Sequence, residues 1–257
     1  MATVEENREA WSHWSWSQGG DEWSVAWGGT EYMWWGAIFP RIQAFVPTGS
    51  ILEIAPGFGR CTHYLQNLCR KLVIVDLTER CIAACRERFA ASSHIHYYVN
   101  DGKSLKMIAD NSIDVVFSWD SLVHAEHDVL QTYLAQLARK LKPDGVGFIH
   151  HSNLGAYKDA QTGELRVENP HWRATSMTAK LFEEYCDEVG LQCLAQEVIA
   201  WGGTVLNDCF SLFAHKAASF VRPIRVVENK DFSCNEINRL ATLAKLFNPR
   251  KFPCEGE

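Results

Sequence analysis

The chain has 257 residues, a formal net charge of −6 and a hydrophobic fraction of 47%, which is the composition of an ordinary globular protein. No apolar run reaches the roughly 18 residues that a membrane-spanning helix needs, and the acidic N-terminus does not resemble a secretory signal, so we expect no membrane partner and a cytoplasmic location. The acidic balance, without a long cluster of lysine or arginine, disfavours binding to a nucleic acid.

From residue 50 onward, short apolar runs alternate with segments of helical spacing. The apolar runs predict five strands, at Ser50–Ala55, Leu72–Val75, Ile95–Val99, Ile113–Ser118 and Val146–His150. Helices are predicted between them at Cys61–Arg70, from Thr78 to about Phe89, and at His127–Leu141. Strands that alternate with helices form right-handed βαβ units, so we expect a parallel sheet.

The alternation ends after residue 178. Ala179–Val189 predicts a helix ended by Gly190, and two further strands are predicted at Cys193–Ala200 and Cys209–His215. Because no helix separates these two strands, we expect them to be antiparallel neighbours. The segments that lie outside the strand–helix pattern are 1–47, 154–176 and 218–257.

Nine cysteines are scattered along the chain, an odd number without any C-x-x-C pair. They are Cys61, Cys69, Cys81, Cys85, Cys186, Cys193, Cys209, Cys234 and Cys254. In a chain expected in the cytoplasm, this pattern indicates free thiols rather than disulfides or a zinc site. Cys81 and Cys85 are spaced for one helical face, but no histidine or further cysteine lies near them in sequence to complete a metal site.

The segment 53–59, with the sequence EIAPGFG, lies between the first predicted strand and the helix that follows. Gly57 and Gly59 let the backbone approach a ligand closely, and Asp76 at the end of the next strand suits a ribose diol. A dinucleotide site has the same geometry but requires a third glycine for the pyrophosphate, and that glycine is missing from the motif. Glu53 is a poor neighbour for a pyrophosphate and suits an ammonium group.

These residues resemble motif I of class I S-adenosylmethionine-dependent methyltransferases, whose usual form is Asp/Glu-x-Gly-x-Gly-x-Gly. Glu53, Gly57 and Gly59 match this motif, whereas Ala55 replaces its first glycine. The resemblance covers about residues 48–216 and implies S-adenosylmethionine as the cofactor and S-adenosylhomocysteine as its product. It also implies a Rossmann-like α/β fold with a seven-stranded sheet whose last strand is antiparallel.

The resemblance assigns further landmarks in chain order. Asn100-Asp101-Gly102 match the segment whose acid meets the adenine amino group, Ser118-Trp119-Asp120 occupy the motif IV position, and Lys142-Pro143-Asp144-Gly145 match the turn before the fifth strand. The cofactor-binding residues that it implies are Glu53, Ala55, Gly57, Gly59, Asp76, Asn100, Asp101, Gly102, Ser118 and Trp119. We expect one methyltransferase domain over residues 1–257, with a tryptophan-rich cap at 1–47, the core at 48–216, a C-terminal extension at 217–257, and helices in both additions.

The motif IV position also bears on the methyl acceptor. Enzymes that methylate amino groups of nucleic-acid bases or protein glutamine often carry Asn/Asp-Pro-Pro there, and this chain has Ser118-Trp119-Asp120-Ser121 instead. We therefore expect a small-molecule substrate, with a hydroxyl of a sugar or secondary metabolite as the acceptor. The alternatives are a small amine and a non-catalytic cofactor-binding module, and an oxidoreductase is disfavoured by the missing third glycine.

Candidate bases lie at the ends of the fourth and fifth predicted strands. His124, His151 and Asp120 are the predicted catalytic residues, because these strand ends face the cofactor in a parallel sheet. Successive side chains of a strand point to opposite faces, so His150 and His151 cannot both face the cleft, and we expect His151 to do so. The alternative is that Asp120, His124, Glu126 and His151 hold a divalent cation, although no Asp-Asp or Asp-Asn pair is present in the usual place for such a site.

Seven of the ten tryptophans fall within the first 35 residues. They are Trp11, Trp14, Trp16, Trp23, Trp27, Trp34 and Trp35. We expect this segment to pack over the cleft, where aromatic faces would attract the cofactor's sulfonium. The alternative, which we favour for most of the seven, is that they anchor an N-terminal helical segment on the core.

Overall fold

The computed structural model describes residues 3–252, so residues 1, 2 and 253–257, including Cys254, lie outside it. The strands are β1 (Thr48–Ile54), β2 (Cys69–Asp76), β3 (Ile95–Val99), β4 (Ile113–Ser118), β5 (Leu141–Ser152), β6 (Leu191–Ile199), β7 (Asp208–His215) and β8 (Arg225–Asn229). The α-helices are α1 (Val4–His13), α2 (Thr30–Met33), α3 (Phe39–Ile42), α4 (Thr62–Leu65), α5 (Glu79–Arg88), α6 (His127–Lys140), α7 (Ala179–Glu188) and α8 (Arg239–Phe247). Short 3₁₀ turns occupy Asp21–Trp27, Gln43–Phe45, Gln66–Leu68, Leu122–His124 and Leu154–Tyr157, and π-helical turns occupy Trp34–Ile38 and Ser233–Asn238.

The eight strands form one sheet in the order β3-β2-β1-β4-β5-β7-β6-β8. Strands β1 to β5 are parallel, and β7 runs antiparallel to both β5 and β6. The Rossmann-like fold with an antiparallel seventh strand is thus confirmed, but the predicted count of seven strands is wrong. The additional β8 pairs parallel to β6 at the sheet edge, and its Val226 and Val227 are 53% and 58% exposed, so it lacks the alternation of buried and exposed residues that predicts a strand.

Helices cover both faces of the sheet, which explains the nearly continuous apolar runs in its central strands. Ile51 of β1 belongs to the same buried cluster as Trp34 and Ile38 from the N-terminal helical segment. Its neighbour Leu52 belongs to the cluster on the other face, together with Leu134 of α6. None of the helices in residues 3–252 combines the length and apolar character needed to span a bilayer.

The structure tests the predicted boundaries of two helices. Thr78 caps α5, as expected, because its side chain accepts a hydrogen bond from the backbone N–H of Cys81. The helix predicted over Cys61–Arg70 is shorter, because β2 already begins at Cys69 and pairs with β1 from that residue onward.

Because β1, β2 and β4 are parallel neighbours, their carboxyl ends meet on the same side of the sheet, where the loops that follow them can form a common site.

Candidate functional site

A cavity of about 550 Å³ opens at this edge of the sheet. The loops after β1, β2 and β4 line it from the core, and the N-terminal segment covers it. Eight of the ten tryptophans of the chain line this one cavity. They are Trp11, Trp14, Trp16, Trp23, Trp27, Trp119, Trp172 and Trp201. Ligand sites are typically apolar clefts with few polar groups, and the cavity has this character.

The glycine-rich loop approaches the cavity in a left-handed backbone conformation. Ala55 and Gly57 both have φ values of 58°, which explains why glycine suits the position of Ala55. A Cβ atom on Gly57 would lie 3.0 Å from the ring of Trp16, so a side chain there would crowd the cavity wall. Gly59 does not line the cavity, since its backbone packs against the Phe89 ring, 2.5 Å from where a Cβ would lie.

Two buried carboxyl groups lie along the floor of the cavity. Glu53 accepts a hydrogen bond from the Thr62 hydroxyl at 2.6 Å, and burial raises the pKa of its carboxyl to about 8. Asp76 accepts from the backbone N–H of Thr78 at 2.8 Å and from that of Gly57 at 3.3 Å, and burial raises its pKa to about 6. Burial opposes ionisation of both acids, so a cationic or hydroxyl-bearing ligand would stabilise their charged forms.

Beyond Asp76 the lining becomes apolar. The residues at this end are Val4, Leu77, Gly102, Leu122, Val129 and Tyr133. The cavity therefore offers, in order, an apolar slot, an acid suited to a diol, and an acid beside a glycine loop. S-adenosylmethionine has a flat base, a ribose and an amino acid end in the same order, so the residues present fit this cofactor.

The N-terminal segment is fixed over the cavity by hydrogen bonds to backbone carbonyls. Asn7 donates to the carbonyl of His124 at 3.1 Å, and Arg80 donates to the carbonyls of Ser12 and Trp14, each at 2.7 Å. Trp16 stacks on Phe58 of the glycine-rich loop, with ring centroids 4.5 Å apart. These contacts make the tryptophan-rich segment part of the cavity wall.

Asp120 lies between two arginines at the inner end of the cavity. Its carboxylate is 3.4 Å from the guanidinium of Arg60 and 3.4 Å from that of Arg173. Its φ of 53° is unusual for a residue with a side chain, and its backbone N–H donates to Nδ1 of His150. Arg173 also binds Asp208 at 2.8 Å, so two arginines and two aspartates form one buried network.

Trp119 precedes this network and forms the inner wall. It is 4% exposed, lies parallel to Phe210 at 4.9 Å, and contacts Trp27 and Trp201 at ring distances of 6.4 and 6.3 Å. Its indole N–H is buried and has no hydrogen-bond partner among the described residues. Buried donors are normally paired, so this N–H is available to a ligand.

His124 is the histidine that lines the cavity after β4. Its Nδ1 lies 3.0 Å from the carbonyl oxygen of Trp172, which can only accept, so Nδ1 carries the proton and Nε2 is left as an acceptor. Burial lowers the pKa of His124 to about 4, and its ring lies 5.2 Å from that of Trp11. The imidazole is therefore neutral at pH 7, but it is a weak base.

Comparison with known proteins identifies the domain. Residues 51–145 match the model of a family described as "Methyltransferase domain". Among solved structures, the DhpI–SAH complex has a TM-score of 0.54 at 17% identity, with 83% of this chain and 95% of that chain covered. A TehB-like SAM-dependent methyltransferase from Corynebacterium glutamicum has a TM-score of 0.53 at 18% identity, with 83% and 98% covered.

Residues 51–145 thus match a methyltransferase domain, and the fold around them is that of S-adenosylmethionine-dependent methyltransferases. Similar curated proteins include phosphoethanolamine N-methyltransferase 1 of Triticum aestivum, 25% identical over 150 residues, which are 56% of this chain and 30% of that protein. Nodulation protein S of Sinorhizobium fredii is 30% identical over 101 residues, which are 38% of this chain and 45% of that protein. The chain spans less than half the length of these relatives.

Within the methyltransferase domain, the segment after β3 is placed differently from what the resemblance implied. The Asn100 amide donates to the Tyr133 hydroxyl at 2.9 Å, and Asp101 is exposed, its carboxylate accepting from the backbone N–H of Ser104 at 2.6 Å. Both side chains stabilise a turn, and neither lines the cavity. Gly102 does line it, so this segment reaches the cavity through its backbone.

Of the three motif IV residues of the methyltransferase domain, one stabilises the sheet and two line the cavity. The Ser118 hydroxyl is fully buried and donates to the carbonyl of Ile54 at 2.9 Å, which joins β4 to β1. Trp119 and Asp120 reach the cavity and Ser118 does not. The predicted site therefore retains two of these three residues.

The prediction that His151 faces the cleft is wrong. Its ring is fully buried, stacks on Phe182 of α7 at 4.3 Å, and contacts the Ser211 hydroxyl at 2.8 Å. Burial lowers the pKa of His151 to about 4. His150 points to the other face, toward Trp119, since alternation along β5 requires the two rings to diverge.

The alternative divalent-cation site does not come together. Glu126 accepts hydrogen bonds from the backbone N–H and the hydroxyl of Ser176, which ties down the segment after β5. His151 stacks on Phe182 and does not line the cavity that His124 lines. In the part of the chain that the structure describes, no group of three or more His, Cys, Asp or Glu side chains is arranged to hold a metal ion.

Several lining residues were not anticipated from the sequence. Arg173 and Trp172 come from the polar segment 154–176, and Arg60 and Glu22 come from outside the recognised motif positions. Arg173 is 5% exposed although it follows exposed polar residues, so its burial arises from the contact with Asp208. The only sequence feature that could have indicated Trp172 and Arg173 is the pairing of a tryptophan with an arginine in an otherwise polar segment.

Proposed function

We propose that this chain transfers a methyl group from S-adenosylmethionine to a small-molecule amine bound in the tryptophan-lined part of the cavity. One observation carries the proposal: a single cavity contains both the acids Glu53 and Asp76, which suit the cofactor, and the tryptophan walls, which could hold an acceptor. When bound, the cofactor supplies an activated methyl group on sulfur. The protein's own task is then to position the acceptor and to exclude water.

The cofactor would lie along the floor in a fixed direction. Its base would occupy the apolar slot beside Leu77 and Val129, and its ribose would bind Asp76. Its ammonium group would lie near Glu53. Burial raises the pKa of this carboxyl group, and the nearby cation would lower it. Gly57 would allow the amino acid end to approach the backbone closely.

An amine acceptor is favoured by the acid–base properties of the site. A hydroxyl must lose its proton as it attacks, whereas a neutral amine attacks with its own lone pair. His124 is a weak base with a pKa of about 4, and Asp120 is shared between Arg60 and Arg173. The names of the curated relatives from Triticum aestivum and Caenorhabditis elegans, both phosphoethanolamine N-methyltransferases, also support an amine.

A hydroxyl acceptor is the second candidate, because His124 carries an unprotonated Nε2 and lines the cavity. In that case His124 would be the base, with Asp120 positioned nearby. A small molecule is favoured over a nucleic acid because both arginines of the described lining, Arg60 and Arg173, already bind Asp120 and are not free to bind phosphates.

We also propose that the described segments act as one domain. Arg41 binds Glu197 of β6 at 2.8 Å and Glu236 of the C-terminal extension at 2.6 Å. The backbone at Gly28 packs against the methyl group of Ala244 of α8, so closely that a Cβ atom at residue 28 would overlap this methyl group. These contacts tie the cap at 1–47 and the extension at 217–257 to the core at 48–216.

Incubation of the full chain with labelled S-adenosylmethionine and matched panels of small amines and alcohols tests the proposal. We expect S-adenosylhomocysteine to form together with a product that carries the label on nitrogen. Labelled products from the alcohol panel alone would support the second candidate. Failure of the chain to bind S-adenosylhomocysteine would contradict both candidates.

A further inference from the structure

We infer that the tryptophan-lined part of the cavity recognises its acceptor as a small organic ammonium, with the carboxylate of Glu22 as the counter-ion. The inference rests on the proposed function, since it names the chemical class of the acceptor. It concerns recognition: the bound ammonium would release one proton to solvent water, and the neutral nitrogen would then attack the methyl carbon as the carbon–sulfur bond breaks to leave S-adenosylhomocysteine.

The first support is the aromatic wall at the mouth of the cavity. Trp14 and Trp23 lie 5.0 Å apart, and Trp11 lies about 6 Å from each, at 6.0 and 6.1 Å. Trp23 and Trp172 are 36% and 62% exposed, although each also lines the cavity. Exposed indole faces at a cavity mouth attract cations through the negative electrostatic potential of the ring.

The second support is an unpaired acid in the same lining. The Oε2 atom of Glu22 accepts from the backbone N–H of Gly20 at 2.8 Å, while its Oε1 atom is buried without a hydrogen-bond partner in residues 3–252. A buried carboxylate oxygen without a hydrogen-bond partner is costly, and the positive charge of an organic ammonium beside it would offset this cost. Because Glu22 directly precedes Trp23, the acid and an aromatic wall come from the same turn of the chain.

The third support is the charge of the lining. It contains four carboxyl groups and two guanidinium groups, the four acids being Glu22, Glu53, Asp76 and Asp120. Burial lowers the pKa of the two lining histidines, His124 to about 4, and His171 also below its usual value, so both are uncharged at neutral pH. Even with Glu53 protonated, the described lining carries an excess of negative charge, which favours a cationic ligand.

The cofactor also carries an ammonium group, so the experiment must separate the two sources. The probes are choline and 3,3-dimethylbutan-1-ol, in which carbon replaces the charged nitrogen, titrated by tryptophan fluorescence with and without saturating S-adenosylhomocysteine. We expect saturable choline binding and an affinity for the uncharged analogue weaker by about tenfold or more. Equal affinity for the two probes would overturn the inference in favour of plain aromatic stacking.

Two variants with matched controls complete the test. Glu22→Gln should weaken choline binding about tenfold and leave S-adenosylhomocysteine affinity within about twofold, because it removes only the negative charge that attracts the choline cation. Glu31→Gln, an exposed acid outside the lining, should change neither. Trp23→Phe should weaken choline binding, and Trp35→Phe, which is outside the lining, should not.

Three results would overturn the inference. The first is an unchanged choline affinity in Glu22→Gln. The second is a loss of affinity in Glu22→Gln for S-adenosylhomocysteine alone, which would assign Glu22 to the cofactor. The third is no saturable choline binding by wild-type protein that binds S-adenosylhomocysteine. The last result would leave the proposed function intact. Absence of S-adenosylhomocysteine binding would instead contradict the proposed function itself.

Discussion

The backbone N–H of Asp120 donates to Nδ1 of His150 at 3.2 Å. Because an N–H can only donate, Nδ1 is unprotonated, and Nε2 must carry the proton that it donates to Asp208 at 3.1 Å. His150 therefore holds the strained left-handed backbone of Asp120 and links it to Arg173 through Asp208. The acid at the inner end of the cavity is positioned by a histidine that does not itself line the cavity.

Replacement of this ring should impair catalysis more than cofactor binding. In His150→Phe, the N–H of Asp120 loses its buried acceptor, which we expect to cost about 1–3 kcal/mol of stability. Misplacement of Asp120 should lower the rate of methyl transfer about tenfold, with S-adenosylhomocysteine affinity within about twofold. Urea unfolding, kinetics and calorimetry measure these three quantities.

His151→Phe is the matched control for this prediction. Its ring packs on Phe182 and contacts Ser211, so the substitution should lower the free energy of unfolding but leave the rate constant within about twofold. If His151→Phe reduced the rate as strongly as His150→Phe, the assignment of the two faces of β5 would fail.

Alanine substitutions of Asp76 and Asp101 should have different effects on S-adenosylhomocysteine affinity. Asp76→Ala removes a buried charged acceptor from the cavity, and we expect S-adenosylhomocysteine affinity to fall by about 1.5–3 kcal/mol. Asp101→Ala should leave the affinity within about twofold, because that carboxylate is exposed and accepts from the amides of its own turn. Calorimetry that found equal losses in the two variants would restore the adenine role implied by the resemblance.

Glu53 predicts a pH dependence of stability in the free protein. Burial raises the pKa of its carboxyl from 4.5 to about 8, so its protonated form is favoured in the folded state. The resulting stabilisation is complete below about pH 4.5 and is lost as the pH rises through about 8. Relative to Glu53→Gln, wild-type protein should lose on the order of a few kcal/mol of unfolding free energy across this range.

Denaturant unfolding at several pH values, with and without S-adenosylhomocysteine, measures this difference. The ligand's ammonium should stabilise ionised Glu53 and reduce the loss at high pH. A difference between wild type and Glu53→Gln that does not vary with pH would contradict the raised pKa.

The role of His124 distinguishes the two acceptor classes. For an amine acceptor, we expect His124→Gln to keep the methyl-transfer rate within about fivefold, because no strong base is required. For a hydroxyl acceptor, loss of the base would lower the rate by about 10²–10⁴-fold. The rate should be measured at saturating cofactor, with S-adenosylhomocysteine affinity as the control for binding.

The sequence predicted the parts of the site that depend on local order. Glu53, Gly57 and Asp76 directly follow or end buried strands, and the carboxyl ends of parallel strands necessarily meet. His151 was misassigned because alternation shows that two neighbours diverge without showing which of them faces the cleft. Glu22 and Arg173 could not be found in this way, because segments distant in sequence bring them to the cavity.

β8 was missed for a related reason. Its valines are exposed at the sheet edge, so the strand arises from backbone pairing with β6 and leaves no periodic apolar signal. Five of the seven N-terminal tryptophans line the cavity, a role beyond the anchoring on the core that the sequence favours for most of them, and Trp34 alone of the seven is both fully buried and outside the lining. Composition identified the unusual segment, but its position required the fold.

The most direct test of the central claim is the fate of a carbon-13 methyl group supplied on S-adenosylmethionine. The full chain is incubated with a set of small amino alcohols, each of which offers a nitrogen and a hydroxyl to the same site, and the products are read by carbon-13 NMR. We predict that the label appears as an N-methyl signal, in step with the formation of S-adenosylhomocysteine. Label found on oxygen, or none transferred to any acceptor by protein that binds S-adenosylhomocysteine, would contradict the proposal of a small-molecule N-methyltransferase.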